Sequence, residues 1–161
     1  MRKNIIYSLL LVVAALFAGC ESRLDIEKHG NMGDQNDFYQ TDEQTEQAVA
    51  SMYSSLKGLY FNWFFTKNVL SDDVWCGGGQ RGDNTSLEQL NEYTYGTDNG
   101  MIQGVFSGLY GLIYQSNLVI EKVADDTPAK KRAIAEAKFF RAWANFELVT
   151  LWGTAPLVDH L

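Results

Sequence analysis

Cysteine, histidine and basic side chains are all scarce in this chain of 161 residues. It contains two cysteines and two histidines, and its 13 lysines and arginines are outnumbered by 20 acidic residues, which gives a net charge of −7. The acidic balance argues against nucleic-acid binding, because phosphate contacts require clustered Lys and Arg. It also argues against adhesion to anionic lipid through charge alone. Hydrophobic residues nevertheless make up 46% of the chain, which predicts a packed core.

The residue types that usually carry catalysis are also few. One histidine, His29, lies in a polar stretch near the amino terminus, and the other is His160. The sequence has neither a serine nucleophile elbow nor a cluster of residues with metal-ligand spacing. Asp72 and Asp73 are adjacent carboxylates, and adjacent residues rarely converge on one bond as the carboxylate pair of a glycosidase must. We therefore expect a protein that is not an enzyme and that needs neither a cofactor nor a metal ion.

The amino-terminal apolar run is too short to cross a membrane. Residues 5–18 are apolar except for Ser8 and follow the basic pair Arg2-Lys3, a pattern typical of a secretory signal peptide rather than of a spanning helix. The run ends in Ala-Gly-Cys at residues 18–20, which is the pattern of a bacterial lipoprotein cleavage site. We predict a signal peptide over 1–19 and lipidation of Cys20; ordinary secretory cleavage is the alternative.

The segment after Cys20 is predicted to be an extended leader over residues 20–40. It is polar, contains Gly30 and Gly33, and shows little hydrophobic periodicity. Such a stretch would let a lipid-anchored body stand off a membrane. With Cys20 acylated, Cys76 has no partner for an intramolecular disulfide, so the fold must be held together by packing.

The first helix is predicted to begin at Thr41. Thr41 is followed three residues later by Gln44, which is the spacing of a capping box. Gly58 is the expected residue after the helix end. The aromatic segment Leu59–Leu70 is then predicted to form another short helix, with most of its rings in the core.

A glycine-rich loop and two long helices are predicted beyond this segment. The loop covers Ser71–Ser86, because three consecutive glycines at 77–79 disfavour regular structure, and loops of this length are usually functional or mobile. A wide apolar arc predicts a helix over Gly100–Ala124. Another helix should start from Thr127 as N-cap, with proline in the first helical position, and end at Trp152 before Gly153.

The helix predicted over Gly100–Ala124 carries an unusual row of glycines. Gly104, Gly108 and Gly111 lie on one side of it, and each costs about 1 kcal/mol relative to alanine in a helix interior. Close approach of another backbone would explain them, and the alanine-rich face of the last helix is the expected neighbour. The chain is thus predicted to be mainly α-helical over residues 41–161, with a weak similarity to tetratricopeptide-like helix pairs.

Three stretches together resemble the SusD/RagB family of outer-membrane lipoproteins. The most specific is residues 135–149, AEAKFFRAWANFELV, followed by Trp152-Gly153 and Pro156. The loop with Leu70-Ser71-Asp72-Asp73 and Trp75 resembles the family's loop after its first helix, and the segment from Phe38 to Tyr53 resembles that helix. The resemblance covers nearly all of the chain after Cys20 but only about the first third of a typical member. We therefore expect a truncated SusD-type helical domain.

The resemblance implies a function and a location. Family members are anchored in the outer membrane at the cell surface, associate with a SusC-type TonB-dependent transporter and capture oligosaccharides for import. Within this chain, Trp75 is the predicted stacking platform for a sugar, and Asp83, Asn84 and Arg81 are the predicted partners for its hydroxyl groups. Arg141 and Glu136 are interpreted as a structural ion network that packs helices. The alternative is a helical scaffold on the cell surface that binds only protein.

Overall fold

The computed structural model describes residues 38–161. The signal peptide, Cys20 and nearly all of the predicted leader lie outside the described residues. The described part forms four α-helices and contains no β-strand. They are α1 (Asp42–Val69), α2 (Thr85–Asn91), α3 (Gly100–Lys122) and α4 (Pro128–Trp152). None of these helices is long and apolar enough to cross a membrane.

The helix starts follow local capping chemistry. The Thr41 side chain accepts from the backbone N–H of Gln44, and the Gln44 side chain accepts from the backbone N–H of Thr41, which completes the predicted capping box. Thr127 caps α4 in the predicted way, ahead of Pro128 in the first turn, and Gly153 at a φ of 73° ends that helix. These predictions are confirmed.

The predicted break at Gly58 is wrong. Helix α1 continues without interruption for 28 residues to Val69, so the aromatic segment belongs to the same helix as the capping box. A Cβ at position 58 would meet no atom within 4 Å, and a glycine in a helix interior lowers stability without forcing an end. The expectation that most rings of this segment lie in the core is also wrong, because Tyr60, Phe61 and Phe64 are exposed.

The three long helices pack against one another around a shared core. Contacts such as Tyr53 with Glu136 and Lys67 with Glu147 run in the same order along α1 and α4, so these helices are parallel. Helix α3 runs antiparallel to α1, because Gln115 of α3 bonds to Ser55 while Gly108 faces Leu59. The centre of the core is fully buried and includes Met52, Val105, Leu109, Leu112, Ile113, Ala137, Ala144 and Leu148.

The glycine row of α3 faces α1 rather than the alanine face of α4, so the predicted neighbour is wrong. A Cβ on Gly108 would lie 2.8 Å from Cδ1 of Leu59, and a Cβ on Gly104 would collide with the Asn62 amide. Gly111 meets nothing within 4 Å. The close approach that the glycines permit is therefore made by side chains of α1.

The ions of α4 are structural, but they form separate contacts instead of one network. Glu136 accepts a hydrogen bond from the Tyr53 hydroxyl at 3.2 Å and pairs with Arg132. Arg141 donates to Oδ1 of Asn117 and to the carbonyl of Asp159. The first set joins α4 to α1, and the second fixes the segment that follows α4 against α3.

Candidate functional site

The loop between α1 and α2 is held in place by the end of α2. The backbone N–H of Cys76 donates to Oδ1 of Asn91 at 2.9 Å, and Nδ2 of Asn91 donates to the carbonyl of Val74 at 3.4 Å. Asn91 thus hydrogen-bonds to the backbone on both sides of Trp75. The indole of Trp75 is nevertheless 75% exposed, so a large aromatic face is presented to solvent on an anchored backbone.

Arg81 is engaged by two carboxylates of α2 and its C-terminal end. Its guanidinium makes a two-pronged contact with Glu92, in which Nη2 donates to Oε2 at 3.1 Å, and its Nε lies 3.8 Å from Oε2 of Glu88. The other oxygen of Glu88 accepts from the backbone N–H of Gly82 at 2.7 Å. The hydrogen bond from Arg81 lowers the pKa of the Glu92 carboxyl, and the same bond raises the pKa of Arg81.

Asp83 and Asn84 hydrogen-bond to the local backbone. Oδ2 of Asp83 accepts from the backbone N–H of Gln80 at 3.1 Å, and a Cβ at Gly78 would approach that oxygen to 3.0 Å. Asn84 is the N-cap of α2, and its Oδ1 accepts from the backbone N–H of Leu87. Both side chains shape the loop. As glycan contacts they stay predictions, as do Trp75 and Arg81.

A pocket of about 210 Å³ opens beside this loop. Trp75 and Arg81 both contribute to its wall, whereas Asp83 and Asn84 do not. The lining residues come from the loop, from α2 and from the residue that follows α2, and they are Trp75, Cys76, Gly77, Gly78, Gln80, Arg81, Glu88, Asn91 and Glu92. An aromatic face next to clustered polar groups suits a ring that has one apolar face and hydroxyl groups at its edge.

Sequence reasoning missed the half of the pocket that α2 contributes. The loop was expected to extend to Ser86, but α2 begins at Thr85 and carries Glu88 and Asn91. A start signal was present, because Asn84 is an N-cap residue type and Thr85 precedes Glu88 by three positions. The helix has only seven residues, which is too short for hydrophobic periodicity to identify it.

A second cavity, of about 370 Å³, is larger and has a different character. Its lining contains no charged side chain and consists of Thr66, Leu70, Tyr95, Gly96, Thr97, Ile102, Leu151 and Trp152. The hydroxyl of Thr66 is buried and has no hydrogen-bond partner among the described residues. The cavity therefore offers apolar volume with few groups that could orient a polar ligand, and the smaller pocket is the better candidate site.

The Asp72 carboxylate of the loop is engaged by a tyrosine that follows α2. Asp72 receives a hydrogen bond of 3.4 Å from the Tyr93 hydroxyl, which also donates to the Leu70 carbonyl at 2.8 Å. In this part of the chain no three His, Cys, Asp or Glu residues converge in a way that would hold a metal ion. Asp72 is thus a partner of the residue that closes the loop onto α1.

The described residues define a mainly α-helical protein whose long, packed helices fit a tetratricopeptide-like architecture. The sequence profile of the family described as "Starch-binding associating with outer membrane", SusD-like, matches residues 24–160. The chain belongs to this SusD-like family. The family description is one of binding and of association with the outer membrane.

Individual relatives agree with this assignment. A SusD-like protein of Bacteroides ovatus is 32% identical over 166 residues, which cover 94% of this chain and 29% of the relative. SusD-like protein P38 of Formosa agariphila is 28% identical over 96% of this chain and 30% of its own length. The chain thus spans about a third of the curated relatives that it matches. No solved structure matches it significantly.

Proposed function

We propose that this chain is part of a cell-surface glycan-binding lipoprotein and that the pocket beside Trp75 contacts the glycan. The observation that carries the proposal is the 75% exposed indole next to Arg81, Glu88 and Glu92. Sugars present apolar C–H faces that stack on aromatic rings, while their hydroxyl groups exchange hydrogen bonds with charged and amide side chains. Asn91 and the Arg81–Glu92 contact restrain these groups before a ligand arrives, which reduces the entropy lost on binding.

The proposed role is capture and delivery rather than chemistry. Family membership supports binding to starch or related glycans at the outer membrane, and the resemblance supports delivery to a SusC-type TonB-dependent transporter. Lipidation of Cys20 would supply the anchor and place the helical body at the cell surface. Catalysis is not part of the proposal, because the pocket carboxylates Glu88 and Glu92 are both engaged by Arg81.

A second candidate function, a helical scaffold that binds only protein, is favoured by one observation. Helix α4 carries Phe139, Phe146 and Val149 on its exposed surface. Contiguous exposed apolar side chains commonly mark contacts with other protein surfaces. On this alternative the Trp75 pocket has no ligand of its own.

Binding of the purified protein to an oligosaccharide array tests the two candidates, with Trp75→Ala as the diagnostic variant. Trp75 stands outside the core, so the variant should keep the helical circular dichroism of the wild type while retention of the bound glycan class falls by about tenfold or more. Phe139→Ala is the matched control, since it removes an aromatic ring of similar exposure from α4.

The outcomes separate the hypotheses. Loss of retention in Trp75→Ala with unchanged retention in Phe139→Ala supports the pocket. Equal retention by wild type and Trp75→Ala would show that the pocket is not the glycan site. Release of new reducing ends from the glycan would contradict the proposal that the protein binds without catalysis.

A further inference from the structure

The charges around the pocket carry an inference about the chemical class of its ligand. We propose that the pocket selects uncharged glycans and discriminates against glycans that carry carboxylate or sulfate groups. The inference rests on the proposed function and adds to it the charge of the sugar. It follows from the contacts that Arg81, the one basic side chain among the described residues that line the pocket, already makes with Glu92 and Glu88.

Arg81 is the only basic side chain that lines the pocket in the part of the chain that the structure describes. An unpaired arginine would attract a carboxylate or sulfate through two parallel N–H···O bonds. In this pocket those donors already point at Glu92, and Glu88 lies 3.8 Å from Nε. A ligand anion would have to displace a carboxylate that is part of the protein.

The remaining lining adds no positive charge. Glu88 and Glu92 are two acids against one guanidinium, and the other lining residues are neutral, so the pocket as a whole is negative. The surrounding segment has the same bias. Residues 71–99 contain Arg81 as their one basic residue and six acidic residues, namely Asp72, Asp73, Asp83, Glu88, Glu92 and Asp98.

The lysine of α1 that is closest to the loop in sequence is already paired. Lys67, in the last turn of α1, donates to Oε2 of Glu147 at 2.8 Å and lies over the Trp63 ring. It is therefore held toward α4. Among the described residues that line the pocket, an anionic sugar approaching Trp75 would meet more negative than positive charge. Like-charge juxtaposition is a common way to reject a wrong partner.

A neutral sugar is compatible with the same arrangement. Its hydroxyl groups can donate to the carboxylate oxygens of Glu88 and Glu92 and accept from the N–H groups of Arg81 that Glu92 leaves unused. No ion pair has to be broken for this exchange. Stacking on Trp75 is indifferent to charge elsewhere on the sugar, so the discrimination would come from the carboxylates.

The test compares two ligands that share one backbone and differ at C6, where one carries a hydroxymethyl group and the other a carboxylate. A neutral α-1,4-linked glucose hexasaccharide and its derivative oxidised to 6-carboxylates are titrated into the protein by calorimetry, at low and high salt. We expect binding of the carboxylated form to be at least about tenfold weaker at low salt, with the gap narrowing as salt screens the repulsion. Should the array retain a different neutral glycan, that glycan and its carboxylated form replace the pair.

Glu92→Gln tests whether the acids are the cause. It removes one charge and releases Arg81, so the preference for the neutral ligand should shrink by about tenfold or reverse. Asp125→Asn removes the same charge at an exposed position before α4 and should leave the preference unchanged. Circular dichroism of both variants confirms that they are folded.

The possible results distinguish failure of the charge selection from failure of the proposed function. Equal affinity for both forms, or tighter binding of the carboxylated form by the wild type, overturns the charge selection and leaves the proposed function standing. If Asp125→Asn changes the preference for the neutral ligand as much as Glu92→Gln does, the preference does not arise from the pocket carboxylates. Binding of neither form, together with an array without hits, overturns the proposed function and this inference with it.

Discussion

Glu147 shows how a single buried charge links the first and last helices. Glu147 lies in α4 and is only 3% exposed. Its carboxylate accepts two hydrogen bonds of 2.8 Å from side chains of α1, one from the indole N–H of Trp63 and one from Nζ of Lys67. Lys67 also lies 5.1 Å from the centre of the Trp63 ring. The carboxylate is therefore paired and hydrogen-bonded, which is the condition under which a charge can be buried.

Removing that carboxylate should destabilise the protein. Glu147→Ala leaves the Trp63 N–H and Lys67 without their acceptor, and we expect a loss of about 1–3 kcal/mol in the free energy of unfolding, because Lys67 keeps partial access to water. Glu147→Gln retains an acceptor for Trp63 and should lose less. Urea denaturation measures both, and a Glu147→Ala variant as stable as the wild type would contradict the link.

The Glu92 carboxyl should titrate below the ordinary range of a glutamate. Its pKa is lowered chiefly by the hydrogen bond from Arg81, so the contact stabilises the loop above the ordinary glutamate pKa and is lost as the pH falls through the lowered value. Carbon-13 NMR titration of the side chain measures this. Arg81→Gln should return the pKa toward its usual value, and an unchanged titration curve in that variant would contradict the assigned cause.

At the scale of elements, the start of α4 is tied to the start of α1. The Thr127 hydroxyl accepts from the backbone N–H of Lys130 as an N-cap and donates to Oδ1 of Asp42 at 2.7 Å. Asp42 lies in the first turn of α1, next to the capping box at Thr41. One side chain thus satisfies a helix end and sets the distance between two parallel helices.

Thr127→Ala should remove both contacts. We expect a loss of about 1–2 kcal/mol in the free energy of unfolding, the upper part of the range for N-caps, because the tie to Asp42 is lost as well. Thr127→Ser keeps the hydroxyl and should stay close to the wild type. Thermal and urea unfolding provide the measurement, and equal stability of the alanine and serine variants would show that the hydroxyl is not needed.

The glycines of α3 differ in the space that surrounds them. Gly111→Ala adds a methyl group in open space and should stabilise the protein by about 0.5–1 kcal/mol through helix propensity. Gly108→Ala would push against Cδ1 of buried Leu59, and the overpacking should cancel or outweigh that gain. Comparing the two melting temperatures tests this, and the idea fails if Gly108→Ala is the more stable variant.

For the whole molecule, the notable feature is the apolar surface that remains outside the core. Tyr60, Phe61 and Phe64 of α1 and Phe139 and Phe146 of α4 are all exposed. Parallel packing brings α1 and α4 side by side, as the contact between the half-buried Trp63 and Trp143 rings shows. Exposed apolar area of this kind promotes association, which the acidic net charge of −7 opposes.

We therefore expect the purified protein to self-associate as its concentration and the salt concentration rise. The double variant Phe139→Gln and Phe146→Gln should reduce association without lowering stability, since Phe139 is 67% exposed. Sedimentation velocity measures the association. Phe140→Ala is the contrasting control, because Phe140 is 2% exposed and its removal should cost about 3–5 kcal/mol of stability instead.

How far the sequence predicts the fold depends on whether a signal is local. The capping box at Thr41, proline in the first turn of α4 and Gly153 after it act through neighbouring residues, so the helix ends that they mark were predicted correctly. Gly58 carried the same kind of signal, but the contacts of Leu59 and Trp63 with the other helices extend α1 past it. Tertiary packing overrode a local propensity of about 1 kcal/mol.

The sequence alone determined the helical class of this protein, its family and the loop that carries Trp75, because those depend on composition, periodicity and contiguous motifs. Tertiary structure decided the contents of the pocket. The partners of Arg81 lie 7 and 11 positions further along the chain. The first is in α2, which is too short to be identified from hydrophobic periodicity, and the second is the residue that follows α2. Tertiary packing also determined that the glycines of α3 face α1, because the neighbours of a helix decide which of its faces is buried.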